Sequence, residues 1–176
     1  MSKHSTLIGW PLRDPKQYRF AIPNAVWEHK LKPVEFVILS YLCYLSSHGQ
    51  SSKLTQEIVA ESIHLSTSTV KKYLSALVSK GLVASGLSLH TSLQCSNSKN
   101  YFTLPNEIFL LNLLPTAFMV YAYLLLIEDR RTHTCHPSYN TIAAATGVAK
   151  NTAIKGICAL EEMGLITVET SSYLDK

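Results

Sequence analysis

Charged side chains are scarce in this chain of 176 residues: they make up 16% of it, against 47% hydrophobic residues. A chain so poor in charge has the apolar surface to offset the entropy of ordering, which excludes disorder along its whole length. Glycine and proline are also few, seven of each, so a low-complexity architecture is excluded. Cysteine occurs four times, at Cys43, Cys95, Cys135 and Cys158, with no CxxC pair, which fits a reduced, cytosolic protein. Cys43 and Cys158 fall in helical apolar patterns and read as small core residues. No apolar run is long enough to cross a bilayer as a helix. The most apolar stretch, Leu113 to Ile127, is too short for a hydrocarbon layer of roughly 30 Å and is interrupted by Pro115 and Thr116. The amino terminus leads into no signal-peptide core. No glycine-rich phosphate loop, nucleophile elbow or recognisable carboxylate pair is present, and no tyrosine stands beside a metal-binding histidine pair. The cluster His133-Thr134-Cys135-His136 lacks the spacing of a structural zinc site and reads as a polar loop. The expectation is a soluble, cytoplasmic non-enzyme with no cofactor and no metal.

The charge that is present is unevenly spread. The net charge is +4, but residues 1–100 hold eleven Lys/Arg against five Asp/Glu, and residues 101–176 hold five against seven. The positive field therefore belongs to the first half.

The chain also repeats itself. Phe20-Ala21-Ile22-Pro23-Asn24 recurs 82 residues later as Phe102-Thr103-Leu104-Pro105-Asn106, and Leu31-Lys32-Pro33 recurs as Leu113-Leu114-Pro115. After one inserted residue, His64 to Thr69 aligns with Gly147 to Thr152, and Ala76 to Val83 aligns with Ala159 to Ile166. Two copies make a tandem pair, not a solenoid. Each copy reads as three helices. The first opens on Pro33 or Pro115, where a missing N–H costs nothing, and runs roughly 34–46 and 116–128. The second starts at Thr55 and near Ser138, both good N-caps. The third spans about 67–80 and 150–163 and ends before Gly81 and Gly164, where a left-handed residue is wanted. Its apolar stripe is Val70, Leu74, Leu77 and Val78 in one copy, and Ala153, Ile157, Leu160 and Met163 in the other. Leu82-Val83-Ala84 and Leu165 to Val168 read as strands. The polar stretch 85–101 reads as a wing whose return strand, Asn100 to Leu104, opens the second repeat. Residues 1–17, with Lys3, Arg13 and Lys16 and no periodicity, read as a basic arm.

A helix, a tight turn and a second helix place the second helix where it can enter a DNA major groove. His64-Leu65-Ser66 and Gly147-Val148-Ala149 suit the turn, with Leu65 and Val148 as its apolar anchors. Ser66, Thr67, Ser68 and Thr69 in one copy, and Lys150, Asn151 and Thr152 in the other, are small or polar residues at a helix N-terminus that also attracts phosphate. Lys71, Lys72 and Lys155 can neutralise backbone charge one turn later. Ser75 lies on the same face, and Lys99 lies in the wing. These twelve residues are the candidate DNA contacts.

The run Leu54 to Ala60, then Leu65 to Leu74, then Leu77 to Val83 resembles the winged helix-turn-helix of bacterial regulators. It is similar in particular to helix-turn-helix domains near replication initiators of plasmids, phages and mobile elements, some of which carry two winged helices in tandem. The resemblance covers roughly residues 20–170. It implies a mainly α fold with small β-hairpins, divided into an arm (1–17), a first winged-helix domain (18–99) and a second (100–176). The implied function is sequence-specific binding of double-stranded DNA by a transcriptional regulator, with an origin-binding initiator module as the alternative. A winged-helix pair used only for protein–protein assembly is the reading from another class. The second copy departs from the first: Ile154 replaces Lys71, Glu161-Glu162 replaces Val78-Ser79, and the sequence given stops at Lys176 before a return strand. That copy's wing is therefore expected to be incomplete, or the chain to be a piece of a longer one. Finally, the helices Val34–Leu45 and Ala117–Ile127 are too apolar for a small domain's surface. Val37, Tyr41 and Tyr44, and Met119, Tyr123 and Leu126, are expected to be covered by the other repeat, or by a second copy of the chain in a homodimer.

Overall fold

The computed structural model describes residues 4–7, 18–49, 54–84, 87 and 100–170, with side chains except at 4–7 and 170. Among the described residues six α-helices carry the fold: α1 (Pro33–Ser47), α2 (Gln56–Ser62), α3 (Thr67–Ser79), α4 (Pro115–Ile127), α5 (Tyr139–Thr146) and α6 (Lys150–Glu162). Five short strands accompany them: β1 (His4–Leu7), β2 (Arg19–Pro23), β3 (Tyr101–Pro105), β4 (Thr134–Cys135) and β5 (Thr167–Thr170). The fold is mainly α with small antiparallel strand sets, as a helix-turn-helix or winged-helix fold requires.

Local chemistry sets the helix ends. Pro33 and Pro115 each occupy the first turn of their helix. Thr55, Ser66 and Ser138 cap α2, α3 and α5 through side-chain oxygens that accept backbone N–H groups. Gly81 and Gly164 follow α3 and α6 at φ +70 and +69, a conformation that costs a glycine nothing. The apolar stripe of the third helix is shorter than the spacing suggests. Val70, Leu74 and Leu77 are buried, as are Ala153, Ile157 and Leu160, but Val78 is 43% exposed and Met163 46%.

The repeated strand motifs pair with each other. β2 and β3 run antiparallel, with Phe20 opposite Leu104, Ala21 opposite Thr103 and Ile22 opposite Phe102. Ala21 and Thr103 are equivalent positions of the two copies, so a local two-fold axis passes between them. The bonds flanking the ladder obey the same axis: Asn24 N–H donates to Asn100 O at 3.0 Å, and Asn106 N–H to Tyr18 O at 2.8 Å. Each strand leads into a 3₁₀ turn, Asn24–His29 or Asn106–Leu111, closed by a left-handed residue, Lys30 at φ 44 or Asn112 at φ 48.

An aromatic core continues the symmetry. Phe36 of α1 and its equivalent Phe118 of α4 meet edge-on at 6.2 Å across the axis. Trp27 lies 4.9 Å from Phe36, and its equivalent Phe109 lies 5.6 Å from Phe118. Trp27 also reaches over to Tyr123 at 5.7 Å and Phe102 at 6.1 Å, while Phe109 reaches back to Tyr41 at 5.1 Å and Phe20 at 5.6 Å. This is how the surplus apolar faces of α1 and α4 are covered. Val37, Tyr41 and Met119 are buried, and Tyr44, Tyr123 and Leu126 are half-buried against the same core.

Two expectations about strands change. The strand after α3 shrinks to an isolated bridge at Val83, and the segment read as its return partner pairs with β2 instead, because the β2–β3 ladder buries Phe20, Ile22, Phe102 and Leu104 together. Part of the segment read as an aperiodic arm is a strand: β1 lies between β4 and β5 and is antiparallel to both. It gives β5 a partner of the kind a return wing strand would supply. The wing residues 88–99, and the chain beyond residue 170, lie outside the described residues.

Candidate nucleic-acid interface

α2 and α3 are joined by four residues, 63–66. The turn is tight because His64 takes φ 54, and it is held by Leu65 N–H donating to Ala60 O at 3.0 Å. Leu65 is half-buried and packs on the core, as its role as anchor requires. Ser66 then caps α3: its Oγ accepts Thr69 N–H at 3.2 Å and bonds to Thr69 Oγ1 at 2.7 Å and Ser68 Oγ at 3.1 Å. Thr67 and Ser68 are exposed and Thr69 is half-buried. Lys71, Lys72 and Ser75 are exposed on the following turns, with the Lys72 ammonium 5.6 Å from the centre of the Tyr73 ring. Ser75 turns its hydroxyl back to Lys71 O at 3.0 Å. A cleft of about 580 Å³ beside α3 collects Lys71 and Ser75 with Thr55 and Gln56 of the α2 start. Gln56 had no sequence signal beyond its place after a cap.

The second unit repeats the arrangement with other chemistry. α5 is capped by Ser138, whose Oγ accepts Thr141 N–H at 3.1 Å. Gly147 takes the left-handed turn position at φ +67, and Val148 is the half-buried anchor. α6 starts after Ala149, which has no side chain to cap it. Lys150, Asn151, Thr152 and Lys155 are all exposed on its first turns. Cys158 is exposed as well, at the position equivalent to Ser75. The reading of Cys158 as a core residue is thereby corrected: the buried stripe of α6 runs through Ala153, Gly156, Ile157 and Leu160, and Cys158 lies off it. The candidate residues thus form two sets, one on the Ser66–Ser75 face of α3 and one on the start of α6. Lys99 lies outside the described residues.

Electrostatics separate the sets. No acidic residue lies between His64 and Lys80, but Lys80 is not free for a phosphate. Its Nζ is 2.6 Å from Oε2 of Glu35, a carboxylate only 3% exposed at the start of α1. α6 instead ends in the exposed pair Glu161-Glu162. At the start of α2, a backbone hydrogen bond and then the Thr55 hydroxyl hold the Glu57 carboxyl below its ordinary pKa. That carboxylate already occupies the positive end of the helix.

The His133–His136 segment, read as a polar loop, contains the strand β4. Cys135 is buried in β4, and burial followed by the nearby Glu128 charge pushes its thiol up to about 12. It is therefore protonated at neutral pH. His133 Nδ1 lies 3.8 Å from Glu128 Oε2.

Residues 111–166, which run from the end of the second 3₁₀ turn through α6, match the helix-turn-helix domain family. Neither the curated proteins nor the solved structures gave a match to the chain. The family match covers α4, α5, the Gly147 turn and α6, so these residues carry a helix-turn-helix fold. No helix among the described residues is long and apolar enough to cross a membrane.

Proposed function

We propose that the chain is a sequence-specific double-stranded DNA-binding protein acting as a transcriptional regulator. It is built from two winged-helix units, 18–99 and 100–176, that present α3 and α6 to the major groove. The observation that carries this reading is the exposed N-terminal half of α3. It follows a tight turn and offers hydroxyls at Thr67 and Ser68, then cations at Lys71 and Lys72 with no acid beside them. In the second unit, the family match supports the same use of Lys150, Asn151, Thr152 and Lys155. Small side chains let the backbone approach the groove, and lysines one turn on neutralise phosphates.

The test is a binding titration on duplex DNA from the flanks of its own gene, over a series of salt concentrations. Each phosphate contact contributes about 0.9 to the slope of log affinity against log salt. The double change Lys71→Ala with Lys72→Ala should lower that slope by about 2 and weaken all sequences alike. Changing Thr67 or Ser68 should shift sequence preference instead. If the double lysine variant binds as tightly as the parent chain, α3 is not the docking surface. If the parent chain shows no salt-dependent binding at all, an assembly role takes its place.

A further inference from the structure

The two-fold axis between Ala21 and Thr103 extends beyond the strands. It pairs the ladder bonds, the left-handed residues Lys30 and Asn112, the on-axis rings Phe36 and Phe118, and the crossed contacts of Trp27 and Phe109. α3 packs on α1, and α6 packs on α4. An axis that exchanges α1 with α4 therefore relates α3 to α6, each as the helix packed on its own side of the axis. Residues Thr67, Ser68, Lys71, Lys72 and Ser75 exchange with Lys150, Asn151, Ile154, Lys155 and Cys158.

From this symmetry we infer that a single chain reads an inverted pair of half-sites. The inference rests on the DNA-binding reading above and specifies its target. Two readers related by a two-fold axis face DNA strands of opposite polarity, so their half-sites are inverted about a centre. Most proteins reach that geometry by dimerising. Here the β2–β3 ladder and the aromatic core supply it within one polypeptide, and no second copy is needed. The exchanged residues differ, so the two half-sites differ in sequence. A homodimer could not make that distinction, because its halves are identical.

The experiment removes that difference. In the full chain, Lys150→Thr, Asn151→Ser, Ile154→Lys and Cys158→Ser give α6 the outward residues of α3. All four positions are exposed or half-buried, and unchanged circular dichroism and melting would show that the fold is intact. Parent and variant are each used to select from a random duplex library, and the mass of the complexes is measured. The expected variant site is one half-site present twice in inverted orientation, with one chain per duplex. The expected parent site shares one of these halves and differs in the other. A direct repeat, a lone half-site, or two chains on the inverted site would overturn the inference while leaving DNA binding intact. If the parent enriches no sequence and binds no duplex, the DNA-binding reading itself falls, and the inference falls with it.

Discussion

α3 and α6 occupy equivalent places in the two copies, yet they are held in place by different means. α3 is capped by a serine, follows a strained histidine turn, carries Tyr73 on its half-buried flank, and is tied to α1 by the Lys80–Glu35 ion pair. α6 has an alanine at its cap, a glycine in its turn and a glycine, Gly156, where α3 has Tyr73. Where the first unit has Glu35 and Lys80, the second has Ala117 and Met163. The first unit is thus positioned by polar bonds and the second by close packing. The difference shows that the third helix of such a unit can be fixed either way, and that the more basic unit is also the one with polar fastenings.

The largest test of this contrast is at Gly156. A Cβ there would lie 3.3 Å from Val120 Cγ2 and 3.6 Å from Ala117 Cα of α4. Alanine needs only a small shift of Val120, but a longer side chain must enter α4 itself. Gly156→Leu should therefore cost about 3 kcal/mol, the upper range for overpacking a core, and push α6 off α4. Denaturant unfolding gives the energy. A cost under about 1 kcal/mol, the low end of that range, would mean that α6 is not seated as closely as it stands here.

The second test exchanges one fastening for the other. Lys80→Met leaves the Glu35 carboxylate buried without its cation. Removing one partner of a fully buried pair costs about 3–5 kcal/mol. Lys80 is 33% exposed, so water can soften the loss, and about 2 kcal/mol is expected. Adding Glu35→Ala reproduces the pair found in the second unit and should recover most of that. It should not recover all, because Glu35 also accepts Lys32 N–H at 2.9 Å. A single variant as stable as the parent would show that the ion pair holds nothing.

These differences mark what could be read from the amino-acid sequence. Proline, glycine and cap positions gave the helices to within one or two residues, since each acts through its own backbone. The 82-residue repeat made it legible that the halves would cover each other's apolar helices. The repeat did not disclose that the motif Phe20 to Asn24 would pair with its own copy, because strand partners are set by burial across the whole molecule. Gly156 went unnoticed because a glycine at i+3 from Ala153 carries no hydrophobic signal. The ion pair of Lys80 left no trace in the sequence because its partner is 45 residues away. Of the interface, the residue types at the start of α3 and α6 were legible. The exposure of Cys158 was not, because its apolar character was read without placing it on the stripe that runs through Ala153, Gly156, Ile157 and Leu160.

The smallest effect lies in the turn itself. His64 holds φ 54, a left-handed conformation in which its Cβ crowds the backbone, at about 1–2 kcal/mol. Gly147, the equivalent residue, holds φ +67 with no atom within 4 Å of where a Cβ would stand. Backbone conformation therefore sets the cost of a side chain at Gly147. His64→Gly removes the crowding but gives the unfolded chain more freedom, which takes back about 0.5–1 kcal/mol. A net gain of about 0.5 kcal/mol remains. Gly147→Ala should move the other way and lose about 1 kcal/mol, with no steric contribution. For a chain of this size 1 kcal/mol corresponds to about 2–4 °C in Tm, so paired melting curves resolve the signs. If both substitutions destabilise, the His64 side chain makes a favourable contact that outweighs its strain, and the two turns are not equivalent.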